Sequence, residues 1–382
     1  MQPRPTRAEI DLDALIANWK ALARSAGERE VLAVVKANAY GHGAAACART
    51  LDDAGARWLG VALVEEGIAL REAGVSARIL VLNGLFPGQA EACLALDLTP
   101  VVYQFDQIRD LEAAAAARND RARAHLKIDT GMGRVGVPHA ELAAFAAELK
   151  RFPRVEVEGL LTHLADADIA DLAYSRAQVE RFSRAAVVMA EAGRPVRLRH
   201  FANSAATVRA LGGASEMVRP GIMLYGVRPV PDFDPEIPLQ PVMRFLTEAV
   251  FVKRVPAGTP ISYGRTFVTK RESTIATLPV GYADGVPRKL SNRGEVLIRG
   301  RRLPIVGRVC MDLTMVDATE LPDLAAGEEA VLIGVQGDQR ISAEQFADWA
   351  ETIDYEILCG ISGRVPRVYR PDDGEIPCES SS

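Results

Sequence analysis

VLAVVK at residues 31–36 is the first of eight apolar runs whose succession decides the fold. It is followed by WLGVAL (58–63), ARILVLNG (77–84), TPVVYQ (99–104), ARAHLKID (122–129), VEVEGLLTHL (155–164), VRLRHFANS (196–204) and MVRPGIMLYG (217–226). Each run is continuous rather than alternating, the pattern of a parallel strand buried on both faces. Between them lie amphipathic segments such as DALIANWKALARSAG (13–27), HAELAAFAAELKR (139–151) and YSRAQVERFSRAAVVMAEAG (174–193), whose apolar residues recur three or four apart. Eight such units in about 220 residues have the size of a (β/α)8 TIM-like barrel. A doubly wound open sheet is the alternative.

The texture changes after the Pro-rich stretch RPVPDFDPEIPLQP (228–241), which sustains neither helix nor central strand. Beyond it, VMRFLTEAVFVKRV, STIATLPVGYA, EVLIRGRRLPIVGRV, LTMVDA and AVLIGVQGD are short alternating segments divided by Gly, Pro and Asp. One helix-like stretch, SAEQFADWAETI (342–353), interrupts them. The expectation is an α/β barrel over 10–240 and a mostly antiparallel β-strand domain over 241–382, with residues 1–9 packing against the latter.

Composition narrows the function. Among 382 residues, 45 Lys and Arg stand against 50 Asp and Glu, a net charge of −5. That balance argues against nucleic acid as a partner, because phosphate binding needs a basic surface. The opening MQPRPTRAEIDLDAL has no apolar core of a secretory signal, and no apolar stretch is long enough to span a membrane. The five cysteines (Cys47, Cys93, Cys310, Cys359, Cys378) are scattered without a C-x-x-C pair, so neither a disulfide framework nor a zinc ribbon is expected. A reduced, cytoplasmic protein without a metal site is the expectation.

In a βα barrel, functional groups gather where strands end. Lys36 closes the first run, Lys127 and Arg134 lie on and after the fifth, His163 ends the sixth, Ser204 follows the seventh and Arg219 lies in the eighth. Each has a bland reading alone: a lysine reaching water, a satisfied histidine, an arginine paired with Glu216. Their convergence on one mouth favours chemistry. Gly131-Met-Gly133-Arg-Val-Gly136 matches the dinucleotide pattern G-x-G-x-x-G, but Pro138 delays the helix that would receive a pyrophosphate, and nicotinamide is disfavoured.

Nine stretches in order, VVKANAYGHG (34–43), KIDTGMGRVG (127–136), THLADAD (162–168), ANSAA (202–206), VRPGIMLYG (218–226), ISYGRTF (261–267), PVGYADGVPR (279–288), GRVCMD (307–312) and DYEILCGISGRVPRVY (354–369), resemble the alanine racemase family. The resemblance implies a homodimeric enzyme using pyridoxal 5′-phosphate to interconvert L- and D-alanine, for peptidoglycan supply or alanine catabolism. Lys36 would carry the cofactor and serve as one acid/base, and Tyr263 from the partner subunit would be the other. Tyr263 would be tuned through His163 and Arg219, with Arg219 facing the pyridine nitrogen.

The resemblance further implies that Ser204, the backbone of Gly221 and Ile222, Tyr40 and Tyr355 hold the phosphate. Arg134 would touch the ring hydroxyl or the substrate carboxylate, the backbone N–H of Met311 would bind that carboxylate, and Tyr282 would narrow the entrance. Lys127 matches a position often carbamylated in the family, and Asp312 would support the loop, unless it merely fixes a turn. A pyridoxal-phosphate decarboxylase and a non-catalytic carrier are the competing readings. The first is disfavoured by Tyr263, Tyr282 and Met311, the second by the whole second domain.

Overall fold

A computed structural model describes residues 4–209, 211, 215–230 and 237–370. The chain opens with β1 (Arg7–Asp11) and a helix over Leu12–Ala26, then enters the parallel strands β2 (Glu30–Val34), β3 (Trp58–Val61), β4 (Arg78–Val81), β5 (Leu98–Val102) and β6 (Ala122–Asp129). The two-residue β7 (Val137–Pro138) precedes β8 (Val155–Leu161), β9 (Leu198–His200) and β10 (Met217–Val218). The sheet runs β10-β2-β3-β4-β5-β6-β8-β9, with every pairing parallel. Glu216 N–H donates to Arg199 O and Arg219 N–H to Ala202 O, both at 2.9 Å, which draws β10 toward β9 and nearly closes the barrel.

Burial explains the continuous runs. Leu32, Ala33, Ile79, Leu80, Val81, Val101 and Val102 are fully enclosed, sealed on both faces as parallel strands are. The helix over Ala173–Glu191 buries Gln178, Val179, Phe182, Ala185 and Met189, one face of a 3.6-residue period. The eighth run contributes only two residues of strand. Pro220 lacks an N–H for a ladder, and the chain turns into a 3₁₀ segment, Ile222–Tyr225, ended by Gly226 at φ +82°.

Two units divide the chain. Leu15–Ala39 with Ala44–Gln240 make the barrel; β1, Tyr40–Gly43 and the chain from Pro241 onward make the other. In the second unit, β1 lies antiparallel to Met243–Glu248 and parallel to Arg367–Arg370. The sheet continues antiparallel through Glu329–Gln336 to Glu295–Ile298 and Arg301–Pro304. A separate antiparallel sheet joins Phe251–Val255, Ser273–Leu278 and Thr314–Asp317. The expected helix forms over Ala343–Ala350, with the Ser342 hydroxyl accepting from Gln345 N–H. A second, unforeseen helix covers Asp354–Gly360; at seven residues it is too short to display a period.

Among the described residues no helix is long and apolar enough to cross a membrane. Among the described residues Cys93 and Cys310 are free thiols, Cys47 is buried and Cys359 exposed, and Cys378 lies outside the described residues.

Candidate active site

After β2 the backbone does something rare. Lys36 is followed by four non-glycine residues, Ala37, Asn38, Ala39 and Tyr40, all in the left-handed region at φ +52° to +54°. Left-handed backbone costs about 1–2 kcal/mol per L-residue, so such a turn persists only where its surroundings impose it. Here Glu66 Oε1 accepts from Ala37 N–H at 2.7 Å, and Asn38 Oδ1 accepts from Ala44 N–H at 2.7 Å. Glu66 was not foreseen from sequence. It is the third residue of the helix Val64–Glu72, whose cap position is Leu63, so no Ser/Thr-x-x-Glu signal marks it.

Around the same end of the barrel, Lys127 on β6 is almost fully buried. Burial, then the positive charges of Arg134, Arg219 and Lys36, hold its amine down to about 8 against the opposing pull of Asp129. Lys36, Lys127, Arg134 and Arg219 therefore converge, as expected. Asp129 Oδ1 accepts from Gly131 N–H (2.9 Å) and Gly133 N–H (3.1 Å), and β7 returns to pair with Ile128–Asp129. The G-x-G-x-x-G run thus doubles back on its own strand instead of leading straight into a helix, a shape unsuited to a dinucleotide.

His163 sits just beyond β8. The buried Gln178 side chain fixes its loop, donating to His163 O at 3.1 Å and accepting from Ala165 N–H at 2.9 Å. Burial, and then the charges of Arg219, Arg134, Lys127 and Lys36, push the His163 imidazole well below its usual pKa, so it is neutral at physiological pH. Its Nδ1 lies 3.4 Å from Arg219 Nη2. Arg219 is buried, donates through Nη2 to Thr162 O (3.0 Å) and Phe201 O (3.2 Å), and has its pKa lowered by burial to about 10. Ser204 is buried too, with its hydroxyl accepting from Gly221 N–H at 2.8 Å. Ile222 opens the 3₁₀ segment, where an N–H has no partner within the turn.

The remaining expected residues belong to the second unit. Tyr40 is buried with its ring 6.0 Å from that of Tyr355, and burial, then the Tyr355 phenol, raises its pKa. Tyr263 begins a tight turn flanked by Ser262 at φ +63° and Gly264 at φ +70°, and is 72% exposed. Ser262 Oγ donates to Arg308 O at 2.7 Å, while Tyr282 N–H donates to Cys310 O (3.0 Å) and Ala283 N–H to Met311 O (3.1 Å). These bonds gather Tyr263, Met311 and Tyr282 into one loop cluster. Met311 and Tyr282 are exposed as well, and Asp312 pairs with Arg364 at 2.8 Å.

The barrel mouth can therefore hold an anion among four cations, with a hydroxyl and backbone N–H groups beside them and a neutral histidine next to a buried guanidinium. The comparisons agree with that chemistry. The family model for the alanine racemase N-terminal domain matches residues 10–229, and that for the C-terminal domain matches 242–369. The alanine racemase of Halothermothrix orenii is 48% identical over 368 residues, covering 96% of this chain and 97% of that one. The crystal structure of alanine racemase from D-cycloserine producing Streptomyces lavendulae superposes with TM-score 0.92 at 40% identity, covering 97% of this chain and 98% of that chain. The Bartonella henselae alanine racemase with covalently bound pyridoxal phosphate superposes at 0.86 with 34% identity, covering 96% of this chain and all of that one. The chain belongs to the alanine racemase family.

Proposed function

We propose that Lys36 and Tyr263 are the two proton-transferring groups with which this chain interconverts L- and D-alanine, using pyridoxal 5′-phosphate. The observation that carries the reading is the convergence of Lys36, Lys127, Arg134 and Arg219, whose charges add to burial in holding the amine of Lys127 down to about 8. Such a cluster fits a phosphorylated cofactor and a carboxylate substrate. The cofactor, when bound, supplies the electron sink that lets the α-proton leave.

Lys36 is the group assigned to hold the cofactor covalently and to move a proton on one face of the substrate. The left-handed turn after it fixes the backbone from which it extends. Arg219 is assigned to the pyridine nitrogen. A guanidinium donates and accepts nothing, so it keeps that nitrogen unprotonated and limits how far the ring draws charge. Ser204 Oγ, the N–H groups of Gly221 and Ile222, and the phenols of Tyr40 and Tyr355 are assigned to the phosphate oxygens. Arg134 and the N–H of Met311 are assigned to the substrate carboxylate.

The exposure of Tyr263 supports placing it in the site of a second copy. Met311 and Tyr282 would travel with it, since one loop cluster holds all three. The active unit is then a homodimer, with Tyr282 narrowing the entrance and Asp312 steadying the loop through Arg364. His163, neutral and beside Arg219, is the acceptor to which the Tyr263 hydroxyl would be tied.

The lowered pKa of Lys127 keeps part of its amine neutral near physiological pH, the form that adds carbon dioxide. A carbamate there would set a negative charge beside Arg134. The scattered placing of the cysteines, with Cys93 and Cys310 as thiols, suits a reducing cytoplasm.

Chiral analysis of L-alanine incubated with the protein and pyridoxal 5′-phosphate in deuterated water tests the function. D-Alanine carrying deuterium at Cα is expected; carbon dioxide release, or no change in the amino acid, would overturn it.

A further inference from the structure

Below the barrel mouth, polar side chains form a buried line across the interior. Arg219 Nη1 lies 3.1 Å from His200 Nδ1, and His200 Nε2 lies 2.7 Å from His125 Nδ1. His125 Nε2 faces Glu158 Oε1 at 3.5 Å, the outer limit of a hydrogen bond, and has no nearer acceptor. Glu158 is ion-paired with Arg78, and Arg197 stands 3.7 Å from its other oxygen. Both histidines are fully enclosed, and Arg219 and Glu158 are buried. Gly159 makes room for the line, since a Cβ there would lie 2.4 Å from His125 Nδ1. At the far end, Arg78 and Arg197 line a cleft of about 350 Å³.

The two ends dictate every proton between them. A guanidinium only donates, so His200 Nδ1 must accept and its hydrogen must sit on Nε2. That N–H donates to His125 Nδ1, which leaves the His125 hydrogen on Nε2, directed at a carboxylate that only accepts. Burial first, with nearby positive charge from Arg219 among the causes, lowers the pKa of both imidazoles. For Glu158, burial pushes upward, but His125 and Arg78 hold the carboxyl at about 2. A second proton on either ring would set two donors face to face, so the neutral Nε2–H forms are the ones that satisfy the line.

We propose that Glu158 is a positioning residue for Arg219, acting through His125 and His200 to keep an acceptor against Nη1 and so fix the plane of the guanidinium. The proposal rests on the assignment of Arg219 to the cofactor ring. The other guanidinium nitrogen, Nη2, is tied to the carbonyls of Thr162 and Phe201, so the line from Glu158 supplies the polar partner of Nη1.

Nitrogen-15 spectra of the histidine rings test it, on the protein as purified and on Glu158→Gln. The chain has five histidines. In the wild type, His125 and His200 should both be neutral with the proton on Nε2 from pH 6 to 8. A His200 proton on Nδ1, or a doubly protonated ring, overturns the proposal without any variant. Glu158→Gln offers an amide that both donates and accepts, so mixed tautomers are expected at His125. In that variant kcat should fall on the order of tenfold with KM for alanine little changed, because an unfixed buried donor is costly. The pH profile of the bound cofactor's absorbance should shift too.

Unchanged tautomers, kcat and pH profile in Glu158→Gln, even with lower stability, would make Glu158 only a structural element. If the tautomers respond but the absorbance ignores both Glu158→Gln and Arg219→Lys, the assignment of Arg219 to the ring fails while its coupling to Glu158 stands.

Discussion

Glu66 holds the backbone of Ala37: its Oε1 accepts from Ala37 N–H at 2.7 Å while its Oε2 accepts from Ala62 N–H at 2.6 Å. One carboxylate thus ties the residue after Lys36 to the loop that follows β3. Four consecutive left-handed residues store strain, and Glu66 is part of what holds that strain in place.

Removing this carboxylate should release the turn. Glu66→Ala is expected to lower stability by about 2–4 kcal/mol, since hydrogen bonds to charged groups contribute roughly 1.5–3 kcal/mol each and some water will replace them. Glu66→Gln, which keeps one acceptor oxygen, should lose about half as much. Urea melts measure both. Equal, negligible losses would show that Asn38 and the surrounding packing hold the turn unaided.

The sequence made Lys36, Lys127, His163, Ser204 and Arg219 legible because a βα barrel delivers strand ends to one face, and strand ends can be read from apolar runs. Glu66 was not legible. It works across a gap of 29 residues, and its helix begins at Leu63 without a capping signature. His125 and His200 were passed over as strand residues, although a histidine inside an apolar parallel strand marks a buried partner. The helix over Asp354–Gly360 was read only as part of a motif. Tyr263 needed the family resemblance, because a tyrosine among short strands carries no signal of its own.

Tyr263→Phe removes a hydroxyl and nothing else from an exposed ring. Racemisation should fall about 10²–10⁴-fold, the usual worth of a positioned acid/base. The loss in kcat/KM must be equal in both directions, because enantiomers have an equilibrium constant of one. Asymmetry will appear in isotope exchange: D-alanine should still take up deuterium at Cα through Lys36, while L-alanine should not. Exchange surviving equally in both enantiomers would remove Tyr263 from its role.

Acid should weaken the fold in a defined window. His125 and His200 are fully buried and held neutral, with pKa values below the unfolded value of about 6.5. As pH falls through 6.5, the unfolded chain binds protons that the folded chain refuses, so stability drops. Each such group should withdraw up to about 1.4 kcal/mol between pH 7.5 and 5.5, so the two together up to about 3 kcal/mol, with His163, also held below its usual value, acting in the same direction. Glu158, held at about 2, adds its own loss only as pH falls through the ordinary carboxylate value of about 4.3 toward 2. Urea midpoints at the two pH values check this, and a midpoint unchanged at pH 5.5 would mean that the rings protonate in place.

Complementation between two inactive variants tests whether the site is shared. Lys36→Ala alone should lose turnover and covalent cofactor, and Tyr263→Phe alone should lose racemisation while keeping the cofactor. Dissociated together and allowed to reassemble, half of the dimers will pair one variant with the other. In each mixed dimer one site carries both substitutions and the other carries neither, provided Tyr263 reaches across to its partner. About a quarter of wild-type activity should therefore return, one intact site in half of the molecules. If Tyr263 instead served the barrel of its own chain, every site in every mixture would contain one defect and nothing would return. The exposure of Tyr263, at 72%, is the feature that favours the first outcome, because a phenol turned away from its own chain needs another surface to work upon.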